Sequence, residues 1–240
     1  MGKRIRAQRR GSSPKNRVRS HRFPGKSKVP RVEGEVATVS DLVHSPVHTA
    51  PLARVRLDNG DEFFIVATEG MGVGQKVAIG DNVALRPGNI TKLSQIPEGT
   101  PVNNVESRPG DGGKFARSGG NSAVVESNMG DSVRIRLPSG RLKELHSDCR
   151  ATIGVLGGHG RTDKPMMKAG SAHYRAKARG KLYPTVSGVA MNPVDHPHGG
   201  GNHQAVHGPN SVSRHAPPGQ KVGHIAPRRT GRGRSKSKEE

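Results

Sequence analysis

Ala53-Arg-Val-Arg-Leu-Asp-Asn-Gly-Asp-Glu-Phe-Phe-Ile-Val-Ala67 is the stretch of sequence that decides the fold class. It places two runs rich in β-branched and aromatic residues, 53–57 and 62–67, on either side of Asn59-Gly60. Asn-Gly is the strongest short hairpin signal, because both residues accept the positive φ angles of a two-residue turn. The stretch therefore predicts a β-hairpin within a mainly β protein.

Further short strands are predicted on both sides of this hairpin. In the first β module, residues 33–90, they are 35–39, 76–79 and 82–86. In the second β module, residues 91–160, they are 122–126, 132–137, 141–145 and 151–156, with one helical turn at 147–150. Five short strands in the first module predict a small barrel. In the second, Val133 and Ile135 alternate with Arg134 and Arg136, which is typical of a half-buried strand.

The charge of the 240-residue chain is concentrated at its two ends. Residues 1–31 hold 12 basic and no acidic side chains, residues 32–160 hold 13 and 15, and residues 161–240 hold 15 and 4. A near-neutral centre with two cationic ends indicates a folded body whose extensions bind a polyanion. An enzyme with a basic substrate pocket does not need such a partition.

The cysteine count and the hydropathy of the chain exclude further classes of protein. The one cysteine, Cys149, excludes an internal disulfide framework and a cysteine-based zinc site. No apolar run reaches the roughly 18 residues of a transmembrane helix. We expect a cytoplasmic protein without a membrane partner.

The two extensions are predicted to be mostly irregular. Residues 1–32 form a basic N-terminal extension, which we expect to stay disordered until counter-charge arrives, the alternative being a solvated tail. Residues 161–240 form a basic C-terminal extension with one short helix at 165–179, where Pro165 suits a first turn. Some 60 structureless residues are unusual inside a compact domain and suit a segment threaded through another molecule.

Two glycine-rich segments are candidate contact surfaces. The loop 106–120 fails the P-loop pattern, and it lacks the third glycine of the dinucleotide fingerprint because Phe115 stands there. Nucleotide binding is therefore a minor alternative to a loop whose backbone meets a phosphate chain, or to a long structural connection. The segment 154–164 is either a hinge or a backbone contact surface.

The strongest candidate for a functional site is the run Gly188-Val-Ala-Met-Asn-Pro-Val-Asp-His-Pro-His-Gly-Gly-Gly201. His196, His198, His203 and His207 lie close together in sequence, beside Asp195. These are zinc-type ligands, but no predicted element preorganises them. A general-base pair of Asp195 and His196 is also open, while histidines in a basic glycine-rich loop suit contacts to looped RNA.

The chain closely resembles the universal large-subunit ribosomal protein L-two family, in its archaeal branch. The matching runs are 104–119, 149–154, 168–170, 188–201 and the Lys/Arg-rich C-terminus. The resemblance implies an OB-like barrel over 33–90 and an SH3-like barrel over 91–160. It also implies that His196, once discussed as catalytic in the family, supports RNA structure.

The resemblance further implies a structural, non-enzymatic role in the large ribosomal subunit. The expected partners are large-subunit ribosomal RNA, neighbouring ribosomal proteins and the small subunit through a bridge. The expected contribution is to subunit association and to the architecture of the peptidyl-transferase centre. We expect no catalytic residue, resident metal or cofactor, with RNA-associated Mg²⁺ left open. The side chains predicted to contact RNA are Lys3, Arg4, Arg6, Arg9, Arg10, Arg17, Arg19, Arg22, Arg108, Lys114, Arg117, His159, Arg161, Lys164, Lys168, Arg175, Lys177, Arg179, His196, His198, Arg228, Arg229 and Arg232.

Two other function classes remain open from the sequence. An architectural DNA-binding protein would also use cationic extensions to bind a polyanion, but it needs neither two barrels nor a structured Gly-His loop. A metal-dependent enzyme built on His196, His198 and His203 is the second alternative.

Overall fold

The structure is a computed structural model that describes residues 2–9, 18, 20–32, 34–206 and 208–231. The chain divides into two compact units, residues 19–179 and residues 1–18 together with 180–240. Four of the predicted RNA contacts, Arg10, Arg17, Arg19 and Arg232, lie outside the described residues.

The unit of residues 19–179 is built on ten strands that form one hydrogen-bonded sheet. They are β1 (Glu35–Val43), β2 (Leu52–Leu57), β3 (Glu62–Val66), β4 (Lys76–Ile79), β5 (Ile90–Lys92), β6 (Pro101–Asn103), β7 (Ala123–Asn128), β8 (Ser132–Arg136), β9 (Leu142–His146) and β10 (Arg150–Ile153). Their order across the sheet is β3-β2-β1-β4-β5-β10-β6-β7-β8-β9. The predicted mainly β class is confirmed.

The hairpin that decides the fold class is confirmed, with a different turn. Strands β2 and β3 pair antiparallel from Leu52 opposite Val66 to Arg56 opposite Glu62. Only Gly60 has a positive φ, +90°, and the Asn59 side chain instead accepts a hydrogen bond from the Asp61 N–H at 2.9 Å. The expected two-residue turn is wrong because Leu57 N–H donates to Asp61 O, which closes a three-residue loop, 58–60.

Two large hydrophobic clusters and a small one, Ala50, Leu52, Val66 and Leu156, lie in this unit. The first is Val29, Ala37, Val39, Ala53, Val55, Leu57, Ile65, Ala67, Met71, Val77, Ile79 and Ile90. The second is Leu93, Ile96, Val102, Val105, Ala123, Val125, Val133, Ile135, Leu145, Cys149, Ala151 and Ile153. Burial in the second cluster raises the pKa of the Cys149 thiol to about 11, so this thiol is protonated at neutral pH.

Two of the predicted elements are wrong. Residues 82–86 form no strand, because Asn82 has φ +53° and the stretch runs exposed over the surface. Its expected place in the sheet is taken by β5, where Ile90 and Thr91 are buried. The helical turn predicted at 147–150 is a plain turn that leads directly into β10.

The last part of the basic N-terminal extension is held by the β fold. Val29 is 5% exposed and belongs to the first cluster, and Ser27 is 4% exposed. Lys28 N–H donates to Phe64 O at 3.0 Å and Val29 N–H donates to Gly112 O at 3.2 Å. Apolar cover for Val29 and these backbone bonds order the segment without any counter-charge.

The predicted helix begins four residues later than expected. Helix α1 spans Ala169–Ala178, and none of its residues is buried. Its four alanines favour helix, and Arg175 and Lys177 in the last turn complement the negative end of the helix dipole. Pro165 lies before the helix instead of in its first turn.

Where the structure describes it, the unit of residues 1–18 and 180–240 contains short elements only. Turns of 3-10 helix span Ala7–Arg9 and Gly188–Ala190, and β11 (Ser211–Val212) pairs parallel with β12 (His224–Ile225). The expectation that residues after 180 are irregular throughout is wrong for this ladder. In the described residues, no helix is long and apolar enough to cross a membrane.

Candidate nucleic-acid interface

A buried carboxylate organises the glycine-rich loop 106–120. Glu106 is fully buried and forms an ion pair with Arg150, whose Nη2 lies 3.0 Å from its Oε1. The backbone N–H groups of Gly110, Gly112 and Arg150 also donate to this carboxylate, at 3.1, 2.9 and 3.0 Å. Arg150 Nη1 donates to Pro30 O at 2.6 Å, so the same pair ties the basic segment 27–31 to the loop.

The hydrogen bonds keep Glu106 ionised despite its burial. Burial alone raises the pKa of a carboxyl group, but the Arg150 side chain and the backbone N–H groups of Arg150 and Gly112 outweigh it and lower the pKa of Glu106 overall. Glu106 is therefore a charged, fully partnered group and not a proton donor in catalysis.

Asp111 and Gly113 fix the middle of the loop. The Asp111 carboxylate accepts hydrogen bonds from the N–H groups of Ser107 and Gly113 at 3.1 and 3.0 Å. Burial raises the pKa of Asp111, yet these bonds and Lys114 Nζ at 3.1 Å lower it overall. Gly113 has φ +95°, and an added Cβ would overlap Asn104, so no other residue suits this position.

The loop and the segment 27–31 together present cationic side chains. Lys28, Arg31, Arg108 and Lys114 are all exposed. Arg31 Nε donates to Gly110 O at 3.3 Å, and the Lys28 stem lies against the backbone of Gly112. We call these four residues the loop surface. Lys28 and Arg31 are absent from the predicted RNA contacts, and their place in the basic N-terminal run is the signal that could have found them.

Arg117 differs from the other predicted contacts of the loop. Its guanidinium donates to Gly113 O at 3.0 Å and to the backbone and side-chain oxygens of Ser27 at 2.8 and 2.7 Å. Burial lowers the pKa of Arg117, and the nearby Asp111 charge opposes this. The structure therefore uses Arg117 to hold the segment 27–31 against the loop.

A second cationic group follows the last strand of the sheet. Arg161 Nε donates to Gly119 O at 3.4 Å, which anchors the segment 154–164 to the glycine-rich loop. Burial, then the positive charges of Arg175 and Arg161, lower the pKa of Arg179. Arg175 and Arg161 thus repel the charge of Arg179, which favours an anion beside it. We call Arg161, Arg175 and Arg179 the helix surface. His159, Lys164, Lys168 and Lys177 are exposed nearby in sequence.

The histidine loop of the other unit is closed by its own backbone. Asp195 N–H and Gly200 N–H donate to Asn192 O and Met191 O, at 2.9 and 3.0 Å. Gly200 has φ +90°, and an added Cβ would lie 2.5 Å from Pro193 Cγ. The sequence predicted no element that preorganises this run, but contacts within residues 191–200 shape it.

His196 is held in one tautomer. Its Nδ1 accepts a hydrogen bond from the His198 N–H at 3.0 Å, so the proton of the neutral ring lies on Nε2. The ring packs against Gly188, where a Cβ would overlap it. Burial, and then the charge of His198, lower the pKa of His196 below 6.5. At neutral pH the ring therefore offers a neutral N–H donor.

We expect NMR to detect this tautomer directly. In protein with ¹⁵N-labelled histidine at pH 7, His196 should show an unprotonated Nδ1 and a protonated Nε2. In a pH titration, the midpoint of the His196 resonance should fall below 6.5. His203, for which the structure gives no such bond, serves as the reference resonance. A protonated Nδ1, or titration of His196 above pH 6.5, would contradict the assigned geometry.

Basic residues of the N-terminus lie beside this loop. Lys3 N–H donates to the Asp195 carboxylate at 2.8 Å, and Arg9 Nε donates to Arg4 O at 2.9 Å. The side chains of Lys3, Arg4 and Arg6 are exposed, whereas Arg9 is half-buried. This unit thus brings the first predicted contacts together with His196, while the exposed Arg22 belongs to the unit of residues 19–179.

Comparison with known proteins decides the family. A family model described as Ribosomal Proteins L2, RNA binding N-terminal domain, matches residues 2–79, and one described as Ribosomal Proteins L2, C-terminal domain, matches residues 86–221. The chain belongs to the ribosomal protein L2 family. This membership confirms the predicted family and function class, a structural, RNA-binding constituent of the large ribosomal subunit and not an enzyme.

Individual relatives of the L2 family match over nearly their whole length. The large ribosomal subunit protein uL2 of Archaeoglobus fulgidus is 52% identical over 234 residues, 96% of this chain and 99% of the relative. The protein of the same name from Haloarcula marismortui is 51% identical over 237 residues, 97% and 99% of the two chains. That from Sulfurisphaera tokodaii is 50% identical over 234 residues, 97% and 98%. The predicted likeness to archaeal members is confirmed.

The histidines of this L2-family chain form no metal-type cluster in the part that the structure describes. No three His, Cys, Asp or Glu side chains there lie close enough to hold one ion. The rings of His196 and His198 lie 5.1 Å apart, edge to face, and His196 Nδ1 is occupied by a backbone N–H. His207 lies outside the described residues. Arg228 and Arg229 are exposed near the end of the described chain.

Proposed function

We propose that this L2-family chain binds large-subunit ribosomal RNA through the loop surface. Lys28, Arg31, Arg108 and Lys114 supply positive charge, and glycines 110–113 let the RNA backbone approach. One observation supports this most directly. Glu106 and Arg150 hold a basic segment and a glycine-rich loop together from inside the protein, which leaves the four cations facing outward.

The helix surface is the second proposed contact. Helix α1 has no buried residue, so core packing does not account for it. Arg161, Arg175 and Arg179 crowd positive charge that a phosphate group would neutralise. Binding of RNA gives this helix the partner that its own unit does not supply.

The histidine loop is the third proposed contact. His196 offers Nε2–H, which a phosphate, a 2′-hydroxyl or a base oxygen can accept. We infer that this loop supports the RNA of the peptidyl-transferase centre, and that the chain aids subunit association through a bridge to the small subunit. Neighbouring ribosomal proteins and RNA-associated Mg²⁺ complete the proposed surroundings. The contacts at Arg10, Arg17, Arg19 and Arg232 remain predictions.

We also propose the two barrels and the four segments of the sequence prediction. The proposed segments are the N-terminal extension 1–32, the OB-like barrel 33–90, the SH3-like barrel 91–160 and the C-terminal extension 161–240. The two large hydrophobic clusters favour two modules, since one draws on residues 29–90 and the other on residues 93–153. In the described residues the ten strands pair as one open ladder, without a closing pair between its ends.

Competition binding tests RNA recognition against the DNA-binding alternative. Labelled archaeal large-subunit ribosomal RNA is bound to the full chain at 0.2 M salt and challenged with duplex DNA at equal phosphate concentration. We expect unlabelled ribosomal RNA to displace the label and duplex DNA to leave it bound, because shape and 2′-hydroxyl contacts add to charge. Equal displacement by both competitors would favour an architectural DNA-binding protein.

A further inference from the structure

A cavity of about 640 Å³ lies within the unit that carries the histidine loop. Its walls come from the N-terminal residues 3–9, the segment 182–196 and residues 221–225. Pockets of a few hundred Å³ are the size that holds a small organic group such as a nucleobase.

Part of the cavity lining, which we call the apolar wall, consists of apolar side chains. These are Leu182, Val186, Met191, Val222 and Ile225. Leu182, Val186 and Ile225 are 49%, 53% and 42% exposed, so apolar surface stands open to solvent here. An uncharged, flat group gains by covering such a wall, whereas a bare phosphate ion does not.

The lining also carries cations and a placed donor. Lys3, Arg4, Arg6, Arg9 and Lys221 contribute five positive side chains. The one acidic residue of the lining, Asp195, already accepts the Lys3 N–H at 2.8 Å. His196 also lines the cavity, and its Nδ1 is occupied, which leaves Nε2–H for a ligand.

A smaller cavity of about 360 Å³ shares part of this lining. Lys3, Arg4, Asp195 and His196 border both cavities. The N-terminal backbone and the histidine loop are thus flanked by space on two sides. Two adjoining cavities with shared cations can accept a chain of nucleotides, with one base enclosed and the next phosphate beside it.

We propose that the larger cavity receives one unpaired nucleotide of RNA, with its base against the apolar wall and its phosphate among the N-terminal cations. His196 Nε2–H donates to an oxygen of that nucleotide. This inference rests on the RNA-binding function proposed above and adds readout of a base to backbone recognition. The ligand is a nucleotide within a single strand, because cations on both cavities favour a continuing phosphate chain over a free mononucleotide.

Binding of RNA decamers with and without bases tests the proposal. Fluorescence anisotropy of the full chain is measured at 0.15 M salt with labelled single-stranded decamers of A, U or C. A decamer of the same length with abasic riboses serves as the reference. Enclosing one base contributes roughly a 5- to 150-fold gain in affinity, so at least one intact decamer should bind that much more tightly than the abasic one.

A charge-matched pair of variants locates this gain. Val186→Asp places a carboxylate in the apolar wall, and Val73→Asp places the same charge at a 63% exposed valine of the other unit. Val186→Asp should reduce the ratio of intact to abasic affinity to about one. Val73→Asp should leave that ratio unchanged, since it alters only the net charge.

Crosslinking of the wild-type chain keeps the test independent of variant folding. A 4-thiouridine decamer is irradiated on the protein, and crosslinked peptides are identified by mass spectrometry. Crosslinks in 182–196 or 221–225 would support the cavity, and crosslinks confined to other segments would overturn it. Equal affinity for intact and abasic decamers would also overturn it, whereas failure to bind either decamer would contradict the proposed RNA binding itself.

Discussion

Glu106→Gln is expected to lower the free energy of unfolding by about 3–5 kcal/mol at pH 7, because it breaks a buried ion pair from one side. Glu106 is fully buried, and its oxygens accept from three backbone N–H groups and from Arg150. A glutamine amide places an N–H₂ group where donors converge, and it leaves the Arg150 charge without a partner. Urea denaturation followed by circular dichroism measures the loss, since the chain has no tryptophan.

Glu144→Gln is the matched control for this substitution. Glu144 accepts from Arg134 at 2.8 Å, but its side chain is 59% exposed. An exposed pair of this kind contributes about 0–1 kcal/mol. Equal losses for the two variants would show that the Glu106 pair does not organise the loop.

The pH dependence of the same two measurements gives a second readout. The pKa of Glu106 is lowered in the fold from 4.5, so its ionised form stabilises the protein above that pH. The contribution is lost as the pH falls through the lowered value. The difference between wild type and Glu106→Gln should therefore shrink as the pH falls below 4.5, and a difference that is constant down to acid unfolding would contradict this.

Local patterns predicted the β-hairpin and the alternating strands, because their information lies within a few residues. Val133 and Ile135 alternate with arginines, and in β8 both apolar side chains are buried while Arg136 is exposed. The strand at 90–92 was not predicted, because three residues are too few to show an alternation of apolar and polar side chains. It is a strand because Ile90 and Thr91 are buried between β4 and β10, which a single sequence does not indicate.

The site was predicted less completely than the fold. Charge alone pointed to Arg108 and Lys114, which are exposed as expected. Charge could not separate them from Arg117, whose guanidinium bonds to Ser27 and Gly113. Nor could it find Glu106, since Arg150 lies 44 residues away in sequence. A lone glutamate at the start of a glycine-rich basic loop was the available signal.

The geometry of His196 shows the same limit at shorter range. Its tautomer depends on a hydrogen bond from His198, only two residues away. The sequence could not predict this bond, because it needs Gly200 to return to Met191 and Gly188 to admit the ring. The residue types indicated that a histidine could contact RNA. The path of the backbone determines that Nε2 of His196, and not Nδ1, is available for this contact.

Replacing Lys28, Arg31, Arg108 and Lys114 together by glutamine is expected to weaken ribosomal RNA binding about 100-fold at 0.2 M salt. Each phosphate contact contributes about 0.7 to 0.9 to the slope of log affinity against log salt, so loss of the three unpaired cations should flatten the slope by about 2 to 3. Glutamine keeps the Lys28 stem that lies against Gly112, and the Glu106–Arg150 pair is untouched. Filter binding of archaeal large-subunit RNA from 0.1 to 0.5 M salt measures both quantities.

The control variant replaces four other cations by glutamine, each of which already pairs with a carboxylate in the protein. Arg56, Lys92, Arg134 and Arg136 each pair with a carboxylate, on Glu62, Asp81, Glu144 and Glu126 respectively. In the described part of the chain, Lys114 alone of the loop surface has such a partner, Asp111. Unpaired cations are the ones that release counterions from RNA, so the control variant should change the slope by less than about 1. A control slope that flattens as much as that of the loop-surface variant would mean that RNA responds to net charge alone. The arrangement that Glu106 maintains would then have no role in binding.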